Sequence, residues 1–229
     1  MEGQLNRSER EILTTWVAKL KPEKVLEVGT WKGGGSTLHI LRTLEKSGCG
    51  HLWGIEASQS IYEEMIANIR SDDPLLEKRF TPIFGFSQKV IPGLTAHNEQ
   101  FELVFLDGGD NPLEQIEEFQ LLTDSIPVGG VLMSHDAKLR KGKWLVPYLR
   151  AHDNWKCKLH DVSDEGIFEA IKLGDCPSPQ SAAAAAGVLR SLRLQPKEFL
   201  GRILPTPVIN AILKCLPKKL VISITQDRK

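Results

Sequence analysis

Five short segments of the chain end in residues that can hold or transform a ligand. The first is Val25-Leu26-Glu27-Val28-Gly29-Thr30-Trp31-Lys32-Gly33-Gly34-Gly35-Ser36-Thr37. An acidic residue closes an apolar run, and glycines then allow a tight turn and a close approach by a ligand. A helix begins beyond them, and the unpaired N–H groups of a helix start favour an anionic group such as a carboxylate. A glycine-rich strand-to-helix turn also has a plainer explanation, because glycines serve simply to turn a βα unit. Four later segments weigh against it. Glu56 closes a second apolar run, where a carboxylate can accept hydrogen bonds from both ribose hydroxyls of a nucleoside. Gly85-Phe86-Ser87-Gln88 follows a third, with a polar edge and an aromatic ring suited to adenine. Asp107 closes a fourth run, and His135-Asp136 close a fifth.

The elements around these segments must bring them together. Ser8 and Glu11 have the spacing of a capping box. Ile12, Leu13, Trp16, Val17 and Leu20 then recur at helical spacing, so a leading helix is expected up to about residues 21–22. Strands are expected over 24–29, 52–57, 80–86, 101–106 and 130–134, with helices near 35–46, 61–70, 113–122 and 144–151. Near-continuous apolar strands divided by helices imply a parallel sheet covered on both faces. Residues 155–160 and 166–173, joined by a Ser-Asp-Glu-Gly turn, have the pattern of a closing antiparallel hairpin. The expected fold is therefore a Rossmann-like, doubly wound α/β sheet, mostly parallel, with a C-terminal antiparallel hairpin and a helical C-terminal extension. In such a sheet the carboxyl ends of the strands share one edge, and ligands bind where the strand order reverses.

Composition sets the limits. A chain of 229 residues with 41% hydrophobic content can bury one sizeable core and carry an appendage. We expect a catalytic domain over 1–174, a linker over 175–181 (DCPSPQS) and a basic amphipathic helical extension over 182–229. The overall charge is zero, yet from Ser181 onward nine basic residues face two acidic ones. An acidic body repels phosphates, which argues against a nucleic-acid partner. Prolines 196, 205, 207 and 217 divide the basic tail, and Val208, Ile209, Ile212, Leu213 and Leu216 form an apolar stripe within it. The tail suits peripheral contact with an anionic membrane, or docking on its own domain or a second subunit in a homodimer. Cys49, Cys157, Cys176 and Cys215 form no CxxC pair, so neither a disulfide framework nor a zinc site follows. The polar start is no secretory signal and no apolar run is long enough to span a bilayer; the cytoplasm is the expected compartment.

In order and spacing, the segments between about Leu20 and Leu173 resemble the class I S-adenosylmethionine-dependent methyltransferases, most closely the small O-methyltransferases of the catechol type. VLEVGTWKGGGST looks like that family's first motif, FGFSQKVIP is similar to its adenine-contacting segment, and FELVFLDGG with GGVLMSHD looks like the strand pair that holds its metal. The resemblance implies transfer of a methyl group from S-adenosylmethionine to a hydroxyl of a small molecule or sugar. Glu27, Gly29, Thr30 and Gly33 would shape the methionine end of the cofactor pocket, and Ser36 would bond the methionine carboxylate. Glu56 would hold the ribose, and Phe86, Ser87 and Gln88 the adenine. Asp107 would bind a metal or polarise the acceptor.

The departures from the family bear on the chemistry. The catechol enzyme has an Asp-Asn metal pair where this chain has His135-Asp136, and a catalytic lysine near the position of Asp110. Related bacterial O-methyltransferases use a carboxylate pair here, so Mg²⁺ or another divalent cation on Asp107 and Asp136 stays open. Magnesium prefers oxygen ligands, which His135 serves poorly. With a metal, His135 or Asp110 would take the acceptor's proton; without one, His135 is the candidate base. Two rivals make different demands. A nicotinamide-dependent oxidoreductase would carry GxGxxG, which is replaced here by Glu-x-Gly-x-x-x-Gly. A non-enzymatic methyltransferase-like binding module would have no use for Glu56, Ser87 and Gln88 together.

Overall fold

In the computed structural model, residues 5–96, 98–109 and 111–195 are described. Helix α1 (Arg7–Leu20) opens with a capping box made by Asn6 and Glu9, each side chain bonded to the other's backbone N–H at 3.0 Å. The expected box of Ser8 and Glu11 is therefore two residues out of register. Asn caps as well as Ser does, and this register turns Glu9, Leu13 and Val17 inward along one face.

Among the described residues seven strands follow: β1 (Lys24–Val28), β2 (His51–Glu56), β3 (Phe80–Phe84), β4 (Leu103–Leu106), β5 (Val131–Ser134), β6 (Trp155–His160) and β7 (Ile167–Lys172). They form one sheet in the order β3-β2-β1-β4-β5-β7-β6. β1 pairs in parallel with β2 on one side and β4 on the other, so strand order reverses at β1. Only β7 runs antiparallel to its neighbours β5 and β6, which is the expected closing hairpin. Every residue of β4 and β5 is buried, as apolar strands covered on both faces must be.

Successive side chains point to opposite faces, and the core divides accordingly. Val25, Phe105, Val131 and Met133 pack with α1, α2 (Thr37–Ser47) and α3 (Gln59–Asp72). Leu26, Val28, Val104, Leu106 and Leu132 pack on the other face with α4 (Ser87–Thr95), α5 (Pro112–Leu122), α6 (Gly142–Arg150) and α7 (Pro179–Arg193). Helix α4 has no counterpart among the sequence expectations, because Pro92 lies inside it and removes a hydrogen bond that most helices need. The third strand consequently stops at Phe84, before the polar segment that α4 carries into the site.

Ser178 caps α7, so this helix begins within the stretch 175–181. It lies along α6, with Ala185 and Leu192 in the core. Ser181 ties it down, its hydroxyl accepting from Asp153 N at 2.9 Å and donating to Ala151 O at 2.8 Å. The apolar stripe at 208–216, His97 and Asp110 lie outside the described residues. Among the described residues no helix is long and apolar enough to cross a membrane.

Candidate active site

The carboxyl ends of β1 to β4 open onto one cleft of about 430 Å³, located at the reversal of strand order. It is lined by Gly29, Thr30, Trp31, Gly35 and Ser36 from the first turn, by Glu56 and Ser58 after β2, by Phe86, Ser87 and Gln88, and by Asp107, Gly108 and Gly109. The first turn is tight for a reason visible in the backbone. Gly29 adopts φ +86°, and a Cβ there would lie 2.4 Å from the backbone oxygen of Asp107. Only glycine lets β1 and β4 end this close together. Trp31 holds φ +47° in the same turn and is 40% exposed, a conformation uncommon outside glycine.

Three carboxylates surround the first turn: Glu56 and Asp107 line the cleft, and Glu27 is buried behind Ser36. Glu56 is fixed by two backbone donors, Trp31 N at 3.0 Å to Oε2 and Ser58 N at 2.9 Å to Oε1. It thereby joins the turns after β1 and β2 while still facing the cleft. Glu27 is fully buried, with Oε1 accepting from the Ser36 hydroxyl. Burial pushes its carboxyl up to about 8, against the pull of Ser36 and Thr37, with Asp107 and Glu56 adding repulsion. The hydroxyl of Ser36 is thus turned to Glu27. Ser87 Oγ likewise donates to Glu118 Oε1 of α5 at 2.5 Å, and burial raises that carboxyl to about 7.

The third carboxylate, Asp107, belongs to a buried ion cluster beside the cleft. His135 Nδ1 lies 3.1 Å from Asp107 Oδ1 and 3.3 Å from Asp136 Oδ1, while Nε2 lies 3.2 Å from Glu9 Oε2. Burial would lower the imidazole, but its bond to Asp107 and the charges of Asp107, Asp136 and Glu9 prevail, and it rises to about 9. With both ring nitrogens facing carboxylates, the imidazolium has no lone pair left to take a proton. The Lys141 ammonium sits in the same cluster, 3.0 Å from Asp136 Oδ2, 3.5 Å from Asp107 Oδ1 and 2.9 Å from Gly108 O. Burial raises Asp107, while His135 and Lys141 draw it down and Asp136 raises it again.

Residues 26–137, which contain Glu27, Glu56 and Asp107, match a family model described as a methyltransferase domain. Over these residues, just under half of the chain, the sequence is similar to methyltransferase domains. Solved structures share its fold. An O-methyltransferase from Streptomyces achromogenes, involved in tomaymycin synthesis and bound to S-adenosylmethionine, is 18% identical. It superposes with a TM-score of 0.65 over 75% of this chain and 82% of its own. An O-methyltransferase from Bacillus cereus in complex with S-adenosylhomocysteine is 19% identical, with a TM-score of 0.61 over 74% of this chain and 82% of its own. A Podospora anserina methyltransferase bound to S-adenosylhomocysteine is 15% identical, with a TM-score of 0.62 over 75% and 80%. No curated protein matches the chain by sequence.

Three residues of the cleft and its ion cluster escaped sequence reasoning. Glu9 and Glu118 left a trace: each is an acidic residue on the mainly apolar, buried face of an amphipathic helix, Glu9 four residues from Leu5 and from Leu13, Glu118 beside Ile116 and Phe119. Lys141 left none, since it stands in a run of basic residues that looks like a solvated loop.

Proposed function

We propose that the chain transfers a methyl group from S-adenosylmethionine to the hydroxyl of a small molecule or sugar. The observation that carries this reading is that Glu56 and Asp107 line one cleft at the carboxyl ends of adjacent strands, with Glu27 buried directly behind Ser36 of the same lining. The cofactor's shape explains why the chain has these groups there. Among the described residues, Glu27 Oε2 and Thr30 Oγ1 are buried without a hydrogen-bond partner, a costly state unless a ligand supplies one. The ammonium of the methionine moiety suits Glu27, and the ribose diol suits the lone pairs that Glu56 keeps toward the cleft. Gly29, Gly33 and Ser36 shape the turn around the methionine end. Phe86, 62% exposed at the cleft mouth, and Gln88 offer a face and a polar edge to adenine, with Ser87 held in place by Glu118.

When bound, the cofactor supplies an electrophilic methyl group. The protein's own task is to align the acceptor and receive its proton. Asp107 is the carboxylate at the cleft wall on the acceptor side, and we assign it that role. Its Oδ1 is committed to His135 and Lys141. In this scheme His135 is a buried cation that holds Asp107, so the proton-accepting role expected of it falls to the aspartate. Asp110, the other candidate, lies outside the described residues. Asp107 and Asp136 as metal ligands compete with Lys141 for the same oxygens, and the donor set as folded does not fit a divalent cation. The test is isothermal titration of the full chain with S-adenosylhomocysteine, using NAD as control. Micromolar binding of the former alone is expected. Binding of NAD instead, or of neither, would refute the proposal and favour the oxidoreductase or the non-enzymatic reading.

A further inference from the structure

Three features of the stretch after β5 break local rules together. Asp136 holds φ +56°, a left-handed conformation that is strained for a residue with a Cβ. Lys141 occupies the N-cap of α6, where a cation faces the positive end of the helix and no side-chain cap is made. Its side chain is nonetheless 2% exposed, although lysine is almost never buried. Gly142 makes this arrangement possible, because a Cβ there would lie 2.3 Å from the backbone of Ala137. The chain folds back onto itself just past the catalytic strand and delivers an ammonium to the carboxylates of Asp107 and Asp136.

Asp107, His135 and Asp136 place their ligand atoms within 4.8 Å of one another, close enough to share an ion. A divalent cation would need the same carboxylate oxygens at about 2.0–2.6 Å and would stand against the ammonium and the imidazolium. We propose that the buried Lys141 ammonium takes the place of a divalent cation between Asp107 and Asp136, so that this methyltransferase domain binds no metal there. Lys141 is then a positioning residue: it fixes the Asp107 carboxylate and the Gly108 carbonyl through charge-assisted bonds. The consequence for catalysis rests on the methyl-transfer reading above; the cation measurement does not.

The experiment is Mn²⁺ binding to the full chain at neutral pH, followed through the free-ion electron paramagnetic resonance signal, with S-adenosylhomocysteine titrated in parallel to score the cofactor reading separately. The wild type is expected to leave the Mn²⁺ signal unchanged at concentrations where Lys141→Ala binds one ion per chain, at least tenfold more tightly. Lys141→Gln should gain affinity in the same direction, and Lys141→Arg, which restores a cation, should not. One Mn²⁺ bound by the wild type and lost in Asp136→Asn would overturn the proposal. So would failure of both Lys141→Ala and Lys141→Gln, folded by circular dichroism, to bind any. Should both variants fail to fold, the wild-type titration still decides.

Discussion

Glu9, in the first turn of α1, lies 3.2 Å from Nε2 of His135 at the end of β5, and the two side chains are 1% and 2% exposed. The leading helix is thereby fastened to the catalytic edge of the sheet through a buried ion pair, to which Ser163 and the backbone of Asn6 add hydrogen bonds. Removing one partner of such a pair leaves an uncompensated buried charge, at a cost of about 3–5 kcal/mol. For Glu9→Ala we expect a Tm lower by on the order of 10 °C. Glu9→Gln, which keeps the acceptor but not the charge, should fall between it and the wild type. Differential scanning fluorimetry checks this, and a Tm for Glu9→Ala equal to that of the wild type would show the pair to be idle.

Glu27 links cofactor binding to pH. Its carboxyl is pushed up to about 8 mainly by burial, and pairing with an ammonium requires the ionised form. Affinity for S-adenosylhomocysteine should therefore plateau above pH 8 and weaken by about tenfold per unit below it. The heat of binding should also depend on the buffer through proton release. Glu27→Gln, which cannot ionise, should bind about 100-fold more weakly and show no such slope. Calorimetry from pH 6 to 9 in two buffers gives both readouts, and a wild-type affinity independent of pH would separate Glu27 from the ammonium.

Glu56→Ala should reduce affinity for S-adenosylhomocysteine by about 100-fold or more, the expected loss of two hydrogen bonds to a charged acceptor. The same change strips Trp31 N and Ser58 N of their acceptor, so a modest loss of stability should accompany it. Calorimetry on a variant with native circular dichroism is the check. Binding within threefold of the wild type would remove Glu56 from the ribose site.

These residues were legible to different degrees, and the physical reasons differ. Glu56, Asp107 and His135-Asp136 each end an apolar run, and in a doubly wound sheet that alone puts them on one edge. The partners of their side chains were hidden. Ser36 looked available for a ligand, but its hydroxyl faces Glu27. His135 reads as a base because only Asp136 stands beside it in the sequence; Asp107 and Glu9 reach its two ring nitrogens from 28 and 126 residues away. The register of the first cap was ambiguous, since Asn6 and Ser8 are both good caps with a glutamate three residues on. For His135 and Glu9 it is long-range pairing, not local pattern, that sets the partner.

Gly29→Ala tests how closely β1 and β4 must end. The native φ of +86° is unfavourable for alanine, and the new methyl would meet backbone rather than a side chain that can move. The variant should lose roughly 1–3 kcal/mol through strain alone and should bind no S-adenosylhomocysteine, because the turn must open where the methionine end would lie. Fluorimetry and calorimetry on the same preparation suffice. A folded variant with undiminished binding would place the cofactor elsewhere in the cleft.

His135 gives the stability curve its slope at high pH. Its imidazole is raised from 6.5 to about 9 in the folded chain. A group with a raised pKa contributes stability that is complete below its unfolded value and is lost as pH rises through the folded one. The contribution is therefore full below about 6.5 and gone above about 9, and a shift of this size corresponds to about 3 kcal/mol. Glu27 and Glu118, raised to about 8 and about 7, act with the same sign but begin to lose their contribution from about 4.5 upward. The wild-type Tm should accordingly fall across the whole interval from pH 5 to 9. His135→Asn should flatten the segment between 7 and 9 and leave the slope between 5 and 7. Glu27→Gln should flatten the curve between 5 and 8 and leave the slope between 8 and 9. Because the two variants act on different parts of one curve, fluorimetry at five pH values distinguishes them. A wild-type Tm that holds steady or climbs between pH 7 and 9 would mean that His135 is neutral in the folded protein, and the cluster would then lack the imidazolium that the roles of Asp107 and Lys141 presuppose.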